Sequence, residues 1–207
     1  TADWDMEAAE KGGFPHFMLK EIHEQPRAIK ATVGPRVQDG LPDLGIPELT
    51  DEVLRNIETV HLVGCGTAMH AGMVGSAAIE KLARVPALVD IASEFRYRDP
   101  ILSKKDLMII ISQSGETSDT LAALRLAKEQ GVPVLAVVNV VGSSIARAAD
   151  YVLYTHAGPE IAVASTKAYT VQLCVLYLFA LRLAMAKGKL DEAEARRLTE
   201  KLQASAD

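Results

Sequence analysis

Five short runs of aliphatic and β-branched residues alternate with helix-favouring segments from about residue 58 onward, and no other feature limits the fold as much. One of them, Leu107–Ser112, opens with an unbroken apolar stretch, which is typical of a strand covered on both faces in a parallel sheet. The alternation predicts an α/β fold: a three-layer αβα sandwich, doubly wound like flavodoxin, around a mostly parallel five-stranded sheet. The other predicted strands are Val60–Val63, Ala87–Ile91, Val134–Val138 and Tyr151–Thr155.

Helices are predicted before, between and after these strands. Glu7–Lys11 and Met18–Gln25 favour helix, and Pro26 is suited to open a further one because proline is tolerated in a first turn. The segment from residue 34 to 47 contains many Gly, Pro and Asp residues and is predicted as a loop. The later predicted helices are Thr67–Arg84, Ser118–Gln130, Ser143–Ala148, Ala162–Ala186 and Asp191–Leu202.

The charge balance argues against a nucleic-acid-binding protein. The chain has 27 acidic and 22 basic residues, a formal net charge of −5 and no basic cluster, whereas nucleic-acid binding depends on a positive surface. A bound anion would therefore be held locally, by backbone amides, hydroxyls or a few placed cations. Cys65 and Cys174 form no CxxC pair and have no His at metal-ligand spacing. We expect no metal, no cofactor and a reducing, cytoplasmic location.

One apolar segment has the composition of a membrane helix. Ala168–Leu181 contains no charged residue and is flanked by Lys167 and Arg182. Its length is that of a buried core helix and falls short of the ~20 residues that span a bilayer. We therefore predict a core helix and no membrane partner.

Ligand-binding residues are expected in three loops, because the carboxyl ends of parallel strands meet at one edge of the sheet. These loops are Gly64–Thr67, Ser112–Thr117 and Gly158–Ser165. The first contains Gly64-x-Gly66, but a dinucleotide fingerprint needs a further glycine where this chain has Met69. A close approach of the backbone to a ligand, or a tight turn without one, remain as interpretations.

The second of these loops is the clearest candidate for a binding site. Ser112, Ser114 and Thr117 place three hydroxyls around Gly115 at the entry to a predicted helix. The free amides and positive dipole end of a helix start favour an anion. Hydroxyls add neutral donors, so a phosphate can be held there without a lysine. Helix capping is the alternative, but it needs one hydroxyl and explains neither three of them nor the glycine.

Five separated segments occur in an order that one known family shares. They are Met18–Ile22, Val63–Thr67, Ala92–Arg98, Ser112–Thr117 and Glu160–Ala168. Together they resemble the sugar isomerase (SIS) domain of the glutamine–fructose-6-phosphate aminotransferase family. The resemblance implies a parent enzyme, a glucosamine-6-phosphate synthase, in which a glutaminase domain releases ammonia and two SIS domains convert fructose 6-phosphate into glucosamine 6-phosphate.

The resemblance also implies a division of this chain. Residues 1–47 would be the inter-domain linker with its lead-in helices, and residues 48–190 the first SIS domain. Residues 191–207 would be a C-terminal helix that leads to a second SIS domain outside this chain. The family's catalytic Glu, Lys and His belong to that second domain, so no catalytic residue is assigned here.

A sugar-phosphate-binding role is what the resemblance implies for residues of this chain. The implied substrate-binding residues are Thr67, Ala68, Ser112, Gln113, Ser114, Thr117, Val163 and Ala164. Further candidates are Cys65, Gly66, Ser165 and Lys167, of which Lys167 either assists the phosphate or simply stands near a helix start. Where this chain has Ala68, the family commonly has serine, so one ligand hydroxyl is missing.

The expected function is to bind a hexose 6-phosphate within such an enzyme, with the isolated chain inactive. The implied partners are the glutaminase domain and the second SIS domain. A homodimer is also expected, because the predicted helix Ala162–Ala186 carries more apolar surface than one sheet face covers. The alternative is a regulatory or assembly module that senses a sugar phosphate without chemistry.

Overall fold

The computed structural model describes residues 10–207 and contains two sheets. The larger sheet has five strands in the order β4-β3-β5-β6-β7, and every neighbouring pair is parallel. Its bounds, with those of a small antiparallel hairpin that precedes it, are β1 (Val37–Gln38), β2 (Leu41–Pro42), β3 (Thr59–Gly64), β4 (Ala87–Ile91), β5 (Asp106–Ser112), β6 (Val134–Val138) and β7 (Tyr151–Tyr154). The winding reverses between β3 and β5, as in other doubly wound sheets. The predicted fold class is confirmed, and the sheet is wholly parallel.

Nine α-helices and a 3-10 turn, Gly34–Arg36, complete the regular secondary structure of the described chain. The helices are α1 (Phe17–His23), α2 (Gln25–Val33), α3 (Asp51–Asn56), α4 (Thr67–Ala83), α5 (Ala92–Phe95), α6 (Ser118–Glu129), α7 (Ser144–Ala148), α8 (Lys167–Ala186) and α9 (Glu192–Ala204). The short helices α3 and α5 were not predicted. The helix expected over Glu7–Lys11 lies mostly outside the described residues.

The central strand β5 shows how the layers are built. All of its residues are buried. Leu107, Ile109 and Ile111 pack into a hydrophobic cluster with α4 and α8 on one face. Met108 and Ile110 pack with α6 on the other face. The unbroken apolar run is therefore explained by helices on both sides of the sheet.

The lead-in segment, residues 17–36, is bonded to the end of β7 as well as packed on the helices. Helix α2 lies against α8 and α9. The Thr32 hydroxyl accepts a hydrogen bond from the His156 backbone N–H at 3.0 Å, and the Arg36 guanidinium donates to the Tyr154 carbonyl. The predicted loop from residue 34 onward contains the 3-10 turn and the β1–β2 hairpin, so it is more ordered than its composition indicates.

Helix α8 departs from its prediction in two ways. It begins at Lys167, because residues 162–166 form bends that precede the first turn. Its apolar surface is also covered, by α4, α2, α3 and α9, and Tyr177 is its only exposed large hydrophobic residue in the described chain. No second copy of the chain is therefore needed to cover this helix, and the homodimer stays a prediction. The helix is long and apolar enough to cross a membrane, but 67% of its apolar stretch is buried within the fold.

Candidate functional site

A cavity of about 180 Å³ lies at the carboxyl ends of β3 and β5, where the winding reverses. Larger cavities occur elsewhere, but none of the predicted loop residues lines them. The position is the one at which doubly wound sheets bind ligands. The lining residues are Cys65, Thr67, Ala68, Ile111, Ser112, Gln113, Ser114, Thr117, Glu160, Ser165 and Gln172.

The loop Ser112–Thr117, which we call the anion loop, turns back on itself through its own hydroxyls. The Ser112 Oγ accepts a hydrogen bond from the Gly115 N–H at 3.0 Å and lies 3.2 Å from the Thr117 Oγ1. The Ser114 Oγ accepts from the Glu116 N–H at 3.2 Å. Gly115 has a φ of +68°, which favours glycine. The hydroxyls are thus fixed at the cavity wall by the loop backbone.

This arrangement leaves hydroxyl protons to donate into the cavity. Each hydroxyl carries one proton. The Ser114 Oγ is an acceptor within the loop, so its own proton is unused there. The Ser112–Thr117 contact uses one proton of the pair and leaves the other. The loop therefore presents donors, which is what an anion requires.

Two helix starts open on this cavity without a side-chain cap. Thr117 is the N-cap residue of α6 and makes no capping bond through its side chain, so the capping interpretation does not account for its hydroxyl. Gly66 is the N-cap residue of α4, with a φ of +56°, and α4 is also uncapped. Free amides and the positive dipole ends of both helices favour negative charge here.

Glu116 braces the anion loop from outside the cavity. Its Oε1 accepts a hydrogen bond from the Ser144 N–H at 2.7 Å, at the start of α7. Hydrogen bonding to Ser144, through its side chain first and then through this backbone N–H, lowers the pKa of Glu116 below its ordinary value. The Gly115 carbonyl accepts from the Ile145 N–H at 3.0 Å. The loop is therefore fixed to α7 on the side away from the cavity.

The third helix start at the site is occupied by a carboxylate of the chain itself. The Glu160 Oε2 accepts hydrogen bonds from the N–H groups of Thr166 and Ala168, both at 3.1 Å. The carboxylate stabilises the start of α8 through the helix dipole. These bonds also explain why the helix begins later than predicted. An anion bound in the cavity is consequently expected at α4 and α6, and not at α8.

Residues 155–166, which we call the β7 loop, are hydrogen-bonded to the lead-in segment. The Glu21 Oε1 accepts hydrogen bonds from the Ile161 N–H at 2.7 Å and the Ala162 N–H at 3.1 Å. Glu24 Oε2 lies 2.5 Å from the Lys167 Nζ, just beyond the loop. Helix α1 and the residue after it therefore position a loop that supplies two lining residues of the cavity.

Three lining residues were missed from the sequence: Ile111, Glu160 and Gln172. Gln172 is 3% exposed, and its Oε1 has no hydrogen-bond partner in the described chain. An unpaired buried amide oxygen is costly, so it calls for a donor from a ligand or a water. Its signal in the sequence was a lone amide in the otherwise apolar run of α8. Glu160 begins the segment Glu160–Ala168 that resembles the family, but no ligand-binding role was predicted for it.

Four predicted residues do not line the cavity: Gly66, Val163, Ala164 and Lys167. Val163 is fully exposed, and Ala164 is exposed too. The Lys167 side chain is only 2% exposed and its ammonium is paired with Glu24, which leaves it in a structural position at the helix start. The other eight predicted residues all line the cavity.

The described lining residues include no Lys, Arg or His. Within residues 10–207, no group of three or more His, Cys, Asp or Glu side chains is placed to hold a metal ion. Glu160 is the one carboxylate among the lining residues, and its Oε2 is already bonded to two amides. The site is therefore built from hydroxyls, amides and helix starts.

Comparison with known proteins gives one consistent family. The chain is 59% identical, over 95% of its length, to the glutamine–fructose-6-phosphate aminotransferase (isomerizing) of Clostridium acetobutylicum. It is 51% identical, over 99% of its length, to the enzyme of that name from Mycolicibacterium paratuberculosis. The chain spans 32% and 33% of these two relatives, about a third of their length.

A solved structure also has a closely similar fold. The C-terminal domain of glucosamine-fructose-6-phosphate aminotransferase from Francisella tularensis superimposes with a TM-score of 0.91 at 42% identity. The match covers 95% of this chain and 56% of that one. Residues 53–182 match the family model of the SIS domain, which spans the sheet, the cavity and most of α8. The chain therefore belongs to the SIS domain family.

Proposed function

We propose that the chain binds a hexose 6-phosphate in the cavity. The observation that carries the proposal is the cluster of hydroxyl donors at the uncapped start of α6. The phosphate would lie against Ser112, Gln113, Ser114 and Thr117, since hydroxyls, amides and a helix dipole can hold it without a lysine.

The sugar would lie between the start of α4 and α8. Thr67 and Ala68 line the cavity on the α4 side, and Ser165 and Gln172 on the α8 side. The unpaired Gln172 Oε1 is an acceptor, which a phosphate dianion cannot satisfy but a sugar hydroxyl can. A ligand that carries both an anion and hydroxyl groups suits such a site. Val163 and Ala164, on the exposed part of the β7 loop, would reach the sugar only if that loop moves towards the cavity.

The proposed setting is an aminotransferase that makes glucosamine 6-phosphate from fructose 6-phosphate. The names of the relatives support it, as does the identity of 51–59% along nearly the whole chain for the two described above. The glutaminase domain and a second SIS domain would be the partners. These names favour the enzyme over the alternative of a sensing module without chemistry.

We expect binding without turnover from this chain alone. Amination and isomerisation require a placed acid or base to move protons. The hydroxyls and Gln113 amide of the cavity are poor proton carriers near neutral pH, and the Glu160 carboxylate is bonded to two amides. Holding the substrate gives positioning but no proton transfer.

Calorimetric titration tests the binding proposal. We expect glucose 6-phosphate to bind more tightly than glucose or inorganic phosphate. Ser114→Ala and Thr117→Ala should each weaken it by about 1–2 kcal/mol, the scale of a hydrogen bond to a charged group. Ser205→Ala, at the exposed end of α9, is the matched control and should change nothing. Equal affinity for glucose and glucose 6-phosphate would contradict the proposal.

An activity assay tests the expectation that the chain alone binds the substrate without turning it over. The chain is incubated with fructose 6-phosphate and ammonium, and glucosamine 6-phosphate is sought by mass spectrometry. No product above the enzyme-free control is expected. Steady turnover that Glu160→Gln or Glu116→Gln abolishes would show that this domain carries out the chemistry by itself.

A further inference from the structure

Asn139, the residue after β6, is hydrogen-bonded to both loops of the site. Its backbone N–H donates to the Gln113 carbonyl of the anion loop at 3.1 Å. Its side-chain Oδ1 accepts from the Ala157 N–H at 2.9 Å and from the Thr155 Oγ1 at 3.1 Å. Its Nδ2 donates to the Gly158 carbonyl at 2.9 Å. The oxygen faces an N–H and the nitrogen faces a carbonyl, so the orientation of the amide is fixed.

The backbone and the side chain of Asn139 bond to different loops. The backbone of Asn139 bonds to the anion loop, and its side chain bonds to the β7 loop. Asn139→Ala therefore keeps the backbone bond to Gln113 and removes the side-chain bonds to residues 155–158. Asn139 itself is not among the cavity-lining residues. Any effect on a ligand must pass through the β7 loop.

We propose that Asn139 is a positioning residue that sets the distance between the anion loop and the β7 loop. The inference rests on the proposed function, because it assigns the anion loop to the phosphate and the opposite wall to the sugar. The β7 loop carries Glu160 and Ser165 and leads directly into α8. If the side chain of Asn139 is removed, the phosphate-binding anion loop should stay in place. The β7 loop, which contacts the sugar, should no longer be held in position.

The other anchors of the β7 loop do not replace the link that the Asn139 side chain makes to Ala157 and Gly158. The Thr155 N–H donates to the Val138 carbonyl at 2.8 Å, which holds only the first residue of the loop to β6. Glu21 holds Ile161 and Ala162 from α1, and Thr32 holds His156 from α2. Both fix the loop to the lead-in segment and make no bond to the anion loop. Asn139 bonds the anion loop to the β7 loop directly, at the end of the strand next to β5.

Titrations of Asn139→Ala with two ligands test the proposal. Affinity for glucose 6-phosphate should fall about tenfold, the scale of one to two lost hydrogen bonds. Affinity for inorganic phosphate should stay within about twofold, since the anion loop keeps its backbone bond. The chain has one other asparagine, the exposed Asn56, and Asn56→Ala should change neither affinity. Equal weakening of both ligands, or no weakening of either, would overturn the proposal.

A measurement without ligand separates this inference from the proposed function. Asn139→Asp keeps the acceptor but sets an oxygen against the Gly158 carbonyl. Amide hydrogen exchange should become faster in residues 156–166 and stay unchanged in residues 112–117. Faster exchange in both loops would make Asn139 a general structural residue and refute the proposal. If wild type fails to prefer glucose 6-phosphate, the proposed function fails, and the exchange experiment still decides the role of Asn139.

Discussion

Gly115→Ala is expected to be far more destabilising than its single added methyl group indicates. An ideal Cβ at this position would lie 2.1 Å from the Ser143 Oγ and 2.5 Å from the Ser143 Cβ. Ser143 is 2% exposed, and its Oγ caps α7 by accepting from the Ala146 N–H at 3.4 Å. The serine therefore cannot move aside without giving up the cap.

The expected cost combines three physical effects. A residue other than glycine at a φ of +68° costs about 1 kcal/mol. Overpacking against a buried neighbour costs about 1–3 kcal/mol. Displacing the Ser143 cap costs about 1 kcal/mol. The free energy of unfolding should fall by about 3–5 kcal/mol, a large part of the stability of a domain this size.

Urea unfolding followed by circular dichroism measures this change, with two variants as controls. Gly142 has a φ of +71° and nothing within 4 Å of its ideal Cβ, so Gly142→Ala carries the backbone cost alone, about 1 kcal/mol. In a Ser143→Gly background, Gly115→Ala should also cost only about 1 kcal/mol. Equal costs for Gly115→Ala and Gly142→Ala, or no relief in the double variant, would refute the steric reasoning.

Three further outcomes are expected. Ala68→Ser restores a hydroxyl to a residue that lines the cavity, and titration should show glucose 6-phosphate bound about 1 kcal/mol more tightly. Burial raises the pKa of the Cys174 thiol to about 11, so iodoacetamide at pH 8 should alkylate the cavity-lining Cys65 first, as peptide mass spectrometry would show. The lowered pKa of Glu116 gives a stabilisation that is present above pH 4.5 and is lost as the pH falls through the folded pKa. The urea midpoint of wild type should therefore fall more steeply in acid than that of Glu116→Gln.

The strands could be predicted closely because their signal is local. Each of the five predicted strands agrees with the structure to within one residue at either end. An unbroken apolar run bounded by polar residues is legible without tertiary information. The start of α8 could not be predicted, because the amino acids at positions 162–166 are all compatible with a helix. The Glu160 carboxylate fixes the start through a loop that folds back.

The site divides in the same way. The anion loop was predicted because its hydroxyls and glycine are adjacent in sequence and stand at a strand end. Gln172 was missed because it lies well inside a helix, on a face that only packing against the sheet directs to the cavity. Asn139 follows a strand that the loop rule did not single out, and its bonds join residues far apart in the chain.

The bonds between the lead-in segment and the β7 loop have a consequence for the folding of the chain. Glu21 and Ile161 are 140 residues apart, and Glu24 and Lys167 are 143 apart. During synthesis, the lead-in segment leaves the ribosome long before its partners exist. The loop can therefore close only when most of the domain has emerged. Contacts between such distant residues slow folding, although the entropy of closing so long a loop rises only slowly with its length. The wall of the cavity next to α8 is thus expected to be among the last parts of the fold to form.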